Sequence, residues 1–163
     1  MAKIYPKNPQ FRNKAEEQVF NAIVQDLGAD DAIYCNFEIS DPQHGDVEID
    51  LAVFIKNRGI IVIEIKGGHI SFDGTDWWQQ DAKGSRIIFP SAQARKNMYS
   101  LRDLLRNRWS QGNVRTDWIV AFPNYKNIEV GSVQLPKNKI LDADDLEAVG
   151  QELNEYFAGD LFL

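Results

Sequence analysis

The stretch RGIIVIEIKGG, from Arg58 to Gly68, decides how the chain folds and raises a problem of buried charge. Five of the six residues from Ile60 to Ile65 are apolar, which is typical of a buried strand. The run nevertheless contains Glu64 and is followed at once by Lys66. Burial of a carboxylate or an ammonium group is costly unless a partner compensates its charge. The sequence around this strand must therefore supply a compensating group.

The length and composition of the chain are those of one globular domain, and we expect residues 1–163 to form one. Hydrophobic residues make up 44% and charged residues 26%, which is ordinary for such a domain. No apolar run approaches the roughly 20 residues of a membrane helix, and we expect neither a membrane association nor a secretory signal. The single cysteine, Cys35, fits a reducing compartment, which predicts a cytoplasmic protein. The net charge of −6 argues weakly against a large nucleic-acid surface, although a carboxylate metal site would contribute part of it.

The hydrophobic pattern along the chain predicts a mixed α/β fold without internal repeats. Apolar residues recur with the helical period in NKAEEQVFNAIVQDLG, where Asn13 is the expected N-cap and Gly28 the stop. The other predicted elements are strands at 31–39, 47–55 and 60–66, a small hairpin around Asp73-Gly74, a short strand at 86–89, a helix at 91–110 capped by Ser91, a strand at 116–122, and a short strand with a final helix within 138–157.

Strand parity brings the charged residues of the second and third strands onto one face. Alternate residues of a strand share a face, so Glu64 and Lys66 point the same way. A three-residue loop at 57–59, with Gly59 in the left-handed position, predicts that Asp50 lies opposite Lys66 and diagonal to Glu64. Any loop of odd length keeps all three on one face, at Cβ separations of about 4.5–8 Å. Carboxylates at such separations can converge on one divalent cation.

A Mg²⁺ or Mn²⁺ ion between Asp50 and Glu64 would compensate the buried negative charge. Both are hard cations that prefer oxygen ligands. Lys66 would then lie beside a metal-bound water, where its ammonium could stabilise charge developing on a phosphate. The metal would lower the pKa of that water and polarise a phosphoryl oxygen. These are the parts that phosphodiester hydrolysis requires.

Asp50 followed by Glu64-Ile65-Lys66 resembles the D…(D/E)-x-K signature of the PD-(D/E)XK restriction-endonuclease-like superfamily. The wider pattern, over roughly residues 13–122, resembles the nuclease-related domain (NERD) family within it. The features that carry this resemblance are Glu16 three residues before Val19, EIDLAV at 48–53, GIIVIEIKGG at 59–68, Trp77-Trp78, and PSAQ at 90–93 ahead of the long helix.

The resemblance implies a restriction-endonuclease-like α-β-β-β-α-β core, with a small hairpin insertion and a C-terminal strand-helix extension at 128–163. It implies a catalytic site of Glu16, Asp50, Glu64, Lys66 and Gln93, in which the backbone carbonyl of Ile65 joins Asp50 and Glu64 as a metal ligand. Ala15 stands where the family often has glycine, which leaves a choice between Glu16 and Glu17. The apolar face of the first helix favours Glu16.

The long helix and the tryptophan pair leave alternatives open. Arg95, Arg102 and Arg106 follow helical spacing from the Gln93 end, so they could contact DNA phosphates, or they could form a solvated helix face. Trp77-Trp78 could stack on bases, although packing of the hairpin on the sheet is favoured. The two histidines, His44 and His69, are too few and too far apart for a zinc site.

Two functions follow from these observations. The first is a metal-dependent nuclease domain acting on DNA, with RNA less favoured, in DNA processing or repair. The second is a non-catalytic nucleic-acid-binding or interaction module on the same fold, because a fold does not fix a function. By resemblance, such domains are often fused to helicases, so the chain could be the N-terminal piece of a helicase-like protein. A homodimer, and either endo- or exonucleolytic cleavage, remain open.

Overall fold

A computed structural model describes residues 1–43, 45–108, 114–126, 131–149 and 153 as a mixed α/β fold with two sheets. The elements in chain order are β1 (Lys3–Tyr5), α1 (Lys14–Asp26), β2 (Ala32–Asp41), β3 (Gly45–Ile55), β4 (Gly59–Ile65), β5 (His69–Phe72), β6 (Trp77–Asp81), β7 (Gly84–Ile88), α2 (Pro90–Arg108), β8 (Thr116–Phe122), a 3₁₀ turn (Lys137–Lys139), β9 (Ile140–Asp142) and α3 (Ala143–Leu146).

The main sheet has six strands in the order β1-β2-β3-β4-β8-β9. The neighbours β2–β3 and β3–β4 are antiparallel, whereas β1–β2, β4–β8 and β8–β9 are parallel. The predicted order α-β-β-β-α-β is confirmed in α1, β2, β3, β4, α2 and β8. The edge strand β1 was not predicted, because KIY is too short to show a period of two.

Strand β4 lies inside the sheet and is covered on both faces, which explains its continuous apolar run. Ile61, Ile63 and Ile65 pack in the cluster that contains the apolar face of α1. Val62 packs on the other side of the sheet, in the cluster that contains Ala94 and Met98 of α2. Glu64 and Lys66 therefore continue the row of β4 residues that faces α2.

Helix α1 begins and is oriented as its sequence predicts. The Asn13 side chain accepts a hydrogen bond from the backbone N–H of Glu16 at 3.0 Å, which confirms Asn13 as the N-cap. Val19 and Ile23 are fully buried against the sheet. Residues three and four apart share a helix face, so Glu16 is carried into the protein on the same side.

The predicted register of the β3–β4 hairpin was wrong by two residues. Ile55 pairs with Gly59, so the loop is Lys56–Arg58 and not 57–59. Asn57 takes the left-handed conformation with φ 64°. Gly59 has two reasons to be glycine, since its φ is 141° and a Cβ there would lie 2.4 Å from the carbonyl oxygen of Arg115, just before β8. The loop length remains odd, so the predicted face-sharing of Asp50, Glu64 and Lys66 is unaffected.

The small sheet β5-β6-β7 extends the predicted hairpin by a third strand. The predicted strand at 86–89 is therefore β7, paired with β6. Trp77 is buried, and its ring packs on Phe122 of the main sheet with a centroid separation of 5.4 Å. This contact favours the packing interpretation of Trp77, while Trp78 is partly exposed.

Three boundaries differ from the prediction. Helix α2 starts at Pro90, so Ser91 is a buried helical residue and not the cap, because proline suits the first helical position. Strands β2 and β3 extend through much of the predicted loop 40–46. Asp142 caps α3, and residues 128–130, 150–152 and 154–163 of the predicted extension at 128–163 lie outside the described residues. Within the described ranges, no helix has the length and apolar character needed to cross a membrane.

Candidate active site

A polar cleft with a volume of about 440 Å³ opens where β3 and β4 part. Its walls come from the start of α1, the ends of β3 and β4, the small sheet and the first turns of α2. The side chains predicted from the sequence for the site all line this one cleft, namely Glu16, Asp50, Glu64, Lys66 and Gln93.

Asp50 and Glu64 meet where the backbone ladder between their strands ends. The last backbone pair is Leu51 with Ile63, one position before the two carboxylates. The backbone N–H of Ile65 instead donates to Asp50 Oδ2 at 2.9 Å. Asp50 is 6% exposed and Glu64 is 7% exposed. Two buried carboxylates therefore lie on the same face of neighbouring strands, at the mouth of the cleft.

Each oxygen of Glu64 has a donor nearby. Lys66 Nζ lies 3.5 Å from Glu64 Oε1. Asn97 of α2 donates from Nδ2 to Glu64 Oε2 at 3.3 Å, and the same amide donates to the backbone carbonyl of Glu48 at 3.1 Å. Asn97 thus connects both strands of the site to α2. The sequence analysis missed it, although it follows Gln93 by one helical turn.

The cleft holds more negative charge than its own residues neutralise. Burial, together with the neighbouring charge of Asp50, raises the pKa of Glu64 to about 8, against the lowering effects of Lys66 and Arg12. Burial also raises the pKa of Asp50, against the lowering effect of the Ile65 N–H bond. The fully ionised pair is therefore unfavourable until a further cation arrives.

Arg12 is an unpredicted member of the site. Its Nε lies 3.1 Å from Glu16 Oε1 and its Nη1 lies 3.0 Å from Glu48 Oε1, while Nη2 contacts Asp50 Oδ1. Its side chain is nevertheless 46% exposed. The i,i+4 spacing of Arg12 and Glu16 was visible in the sequence and is the signal that could have identified this residue. One guanidinium thus bridges three carboxylates at the edge of the cleft.

The position of Glu16 depends on Gly67, directly after Lys66. A Cβ at Gly67 would lie 2.7 Å from the Cβ of Ala15, so only glycine lets the end of β4 approach α1 this closely. Glu16, next to Ala15, is 3% exposed and lines the cleft. Glu17 is exposed and does not. Of the two candidates, the structure brings Glu16 to the other site residues.

The donors at this point fit a small divalent cation. Asp50 and Glu64 offer carboxylate oxygens, and the carbonyl of Ile65 points to the Asp50 side because N–H and C=O of an extended residue face the same way. Among the described residues, no three His, Cys, Asp or Glu side chains are placed to hold an ion by themselves. An ion here would complete its shell with water, as Mg²⁺ commonly does. His69 is exposed on β5, and His44 lies outside the described residues.

The arginines predicted to contact DNA lie elsewhere on α2. Gln93 and Lys96 line the cleft, whereas Arg95, Arg102 and Arg106 do not. Arg102 stacks on the Tyr99 ring at 4.6 Å and pairs with Asp103. Their predicted phosphate contacts stay a prediction.

The small sheet contributes two cleft residues that sequence reasoning missed. Gln79 is buried and donates from Nε2 to the carbonyl of Gly67 at 2.7 Å. Its Oε1 accepts a hydrogen bond from Arg86 at 2.9 Å. The hairpin is therefore one wall of the cleft as well as a cover for the main sheet.

Comparison with known proteins gives the family of the chain. No curated protein and no solved structure matches it significantly. Residues 12–123 match the family model described as nuclease-related domain. That segment begins at Arg12, ends just after β8, and includes every residue placed in the site above. The chain therefore belongs to the nuclease-related domain family.

Proposed function

We propose that this domain is a metal-dependent nuclease that hydrolyses phosphodiester bonds of DNA. The observation that carries the proposal is the placement of Asp50 and Glu64, two buried carboxylates on one face of neighbouring strands, with Lys66 beside them in an open polar cleft. The family description, nuclease-related domain, supports it. We further propose a role in DNA processing or repair in the cytoplasm, where Cys35 would stay reduced.

Asp50, Glu64 and the Ile65 carbonyl would hold one Mg²⁺ or Mn²⁺ ion. The Ile65 N–H engages Asp50 Oδ2, so Oδ1, which contacts Arg12, is the oxygen that meets a cation. Asn97 fixes Glu64 from the α2 side through Oε2. A bound ion supplies Lewis-acid polarisation of a phosphoryl oxygen and lowers the pKa of a coordinated water.

Lys66 is the catalytic residue of the chain in this proposal. An ammonium has three donors and no acceptor, so it cannot be a metal ligand. It holds the attacking water, and it offsets negative charge that grows on the phosphate only in the transition state. The Gln93 amide, on the opposite wall, can donate to the water or to a phosphate oxygen. Glu16 pairs with Arg12 and so keeps the positive charge of the guanidinium beside Asp50.

A nicking assay tests the proposal. Supercoiled plasmid would be incubated with wild-type protein in Mn²⁺, in Mg²⁺ and in EDTA, with single-stranded DNA, branched DNA and RNA in parallel. The proposal expects cleavage that EDTA stops and that Asp50→Ala lacks. Absence of metal-dependent cleavage on every substrate would overturn it.

A second function is favoured by Arg12. Its guanidinium contacts Glu16, Glu48 and Asp50, so part of the negative charge of the cleft is offset without any metal. A non-catalytic nucleic-acid-binding module, as one part of a larger helicase-like protein or of a homodimer, would retain this arrangement. It expects DNA binding without EDTA-sensitive cleavage, and weaker DNA binding in Lys66→Ala through a lost phosphate contact. The nicking assay and a DNA titration of the same proteins separate the two.

A further inference from the structure

We infer that Arg86 of the small sheet and Lys96 of α2 form a phosphate-binding pair, which holds the sugar–phosphate backbone of a polynucleotide across the cleft. This inference rests on the proposed nuclease function and names how the same site would hold its substrate. It assigns a role in substrate binding to the β5-β6-β7 sheet, which lies outside the α-β-β-β-α-β core.

Arg86 is fixed with respect to the end of β4. Its Nη2 donates to Gln79 Oε1 at 2.9 Å, and Gln79 Nε2 donates to the carbonyl of Gly67 at 2.7 Å. Gly67 directly follows Lys66. Gln79 is only 7% exposed, and both ends of its amide are hydrogen-bonded in this two-step connection. The guanidinium is thereby held at a set place beside the catalytic strand.

If Arg86 only formed an exposed ion pair with Asp81 on the hairpin, it would not need the hydrogen bond to Gln79. Asp81 also holds Arg86, with Oδ2 2.9 Å from Nη2 and Oδ1 3.3 Å from Nη1. Such a pair alone contributes little to stability. The additional buried amide, which joins Arg86 to the carbonyl at Gly67, is what points to a positioning role in the cleft.

Arg86 retains hydrogen-bonding capacity for a ligand. A guanidinium has five N–H donors, and the bonds to Gln79 and Asp81 use three of them. The two that remain are on Nε and Nη1. The side chain is 47% exposed and lines the cleft. Arginine donors in this fork are suited to the oxygens of a phosphate.

Lys96 supplies positive charge on another wall of the cleft, which α2 forms. It is exposed, it lines the cleft, and no carboxylate pairs with it among the described residues. The other cations of the cleft are Arg12 and Lys66, and both are engaged with carboxylates. A polyanion needs positively charged donors on the walls, because the cleft is also lined by five carboxylates. These are Glu16, Asp46, Glu48, Asp50 and Glu64.

The chain offers a matched control for each residue. Lys83 lies in the β6–β7 turn near Arg86, is exposed, and does not line the cleft. Lys56 lies in the β3–β4 loop, is an exposed lysine like Lys96, and does not line the cleft either. Each control substitution removes one positive charge, as each test substitution does.

The test is a salt titration of DNA binding. Fluorescence anisotropy of a labelled duplex and of a labelled single strand would be followed with increasing KCl in the presence of Mn²⁺. All variants would carry Lys66→Ala so that the DNA is not cleaved, and a gel would check that the DNA stays intact. Arg86→Ala and Lys96→Ala should each reduce the slope of log K against log salt by about 0.9 on duplex or about 0.7 on single strands. Lys83→Ala and Lys56→Ala should leave the slope near that of the parent. Thermal unfolding of every variant checks the fold, and Arg86→Lys should keep most of the slope while weakening binding.

The outcomes separate this inference from the nuclease proposal. Equal slopes for test and control variants overturn the inference even if wild-type protein cleaves DNA. Reduced slopes for the two cleft variants support it even if no cleavage is found. Failure of the parent protein to bind either form of DNA overturns it as well.

Discussion

Replacement of Glu64 by glutamine should stabilise the metal-free protein, and the gain should grow with pH. The substitution keeps the shape of the side chain and an oxygen for Asn97 Nδ2, but removes the ionisable group. In the folded protein the pKa of Glu64 is raised from 4.5 to about 8. The folded state therefore binds the Glu64 proton more tightly than the unfolded state does.

The sign of the effect follows from this linkage. Because the folded pKa is raised, the stability contributed by protonated Glu64 is fully present below about pH 4.5 and is lost as the pH rises through about 8. Glu64→Gln has no such loss. Wild-type and variant protein should therefore be closest in stability near pH 5, and should differ most above pH 8.

The size of the effect can be worked from the same shift. Each tenfold change in proton affinity corresponds to about 1.4 kcal/mol, so the ionised carboxylate costs several kcal/mol at alkaline pH. Loss of the 3.5 Å contact with Lys66 in the variant offsets part of the gain. For a protein of this size, each kcal/mol shifts Tm by about 2–4 °C. The variant should therefore melt higher by roughly 5–15 °C above pH 8.

Thermal unfolding between pH 5 and 9 in EDTA measures this difference. Glu48→Gln is the control, because the Glu48 side chain is 50% exposed and should give no comparable rise. Parallel Tm curves for wild-type protein and Glu64→Gln across the whole range would refute the reasoning, since the buried carboxylate would then carry no penalty.

Three further predictions follow from the site. Millimolar Mn²⁺ should raise the Tm of wild-type protein but not of Asp50→Asn. Binding at a hundredfold excess over Kd stabilises the folded protein by about 2.7 kcal/mol. An equal response of both proteins would exclude a metal site at Asp50. Arg12→Ala should bind Mn²⁺ several-fold more tightly by calorimetry, because the guanidinium contacts the oxygen of Asp50 that the ion would take; weaker binding would show that Arg12 supports the ion instead. Gly67→Ala should lower the free energy of unfolding by about 1–3 kcal/mol in chemical denaturation, because its Cβ would lie 2.7 Å from that of Ala15. Gly28→Ala is the control, since the nearest atom to its Cβ would be 3.4 Å away. Equal losses in the two variants would contradict the close approach of β4 to α1.

The sequence predicted which side chains share a face but not how the strands align. Parity depends only on whether the β3–β4 loop is odd, so Asp50, Glu64 and Lys66 could be grouped without knowing its length. The register depends on the turn itself, where Asn57 rather than Gly59 takes the left-handed conformation. The backbone ladder also ends before Asp50, where the Ile65 N–H donates to the Asp50 carboxylate instead. No periodicity in the sequence contains that information.

Contacts between distant elements were the part that the sequence could not supply. Asn97 lies 33 residues from Glu64, and Gln79 reaches Gly67 from another sheet. A polar residue of this kind has no periodic signature, because its role depends on where two elements meet. Arg12 differs, since its spacing from Glu16 was visible before the fold was known.

The rate of plasmid nicking by Lys66→Ala, measured together with its metal and DNA affinities, tests the central claim most directly. Lys66 is not a metal ligand in this account, so the variant should bind Mn²⁺ and DNA nearly as wild-type protein does. Its nicking rate should fall by about 10²–10³-fold, because its ammonium offsets charge that develops mainly in the transition state. Asp50→Ala should lose both metal binding and nicking. A Lys66→Ala protein that nicks at the wild-type rate, or a wild-type protein whose nicking persists in EDTA, would contradict the account.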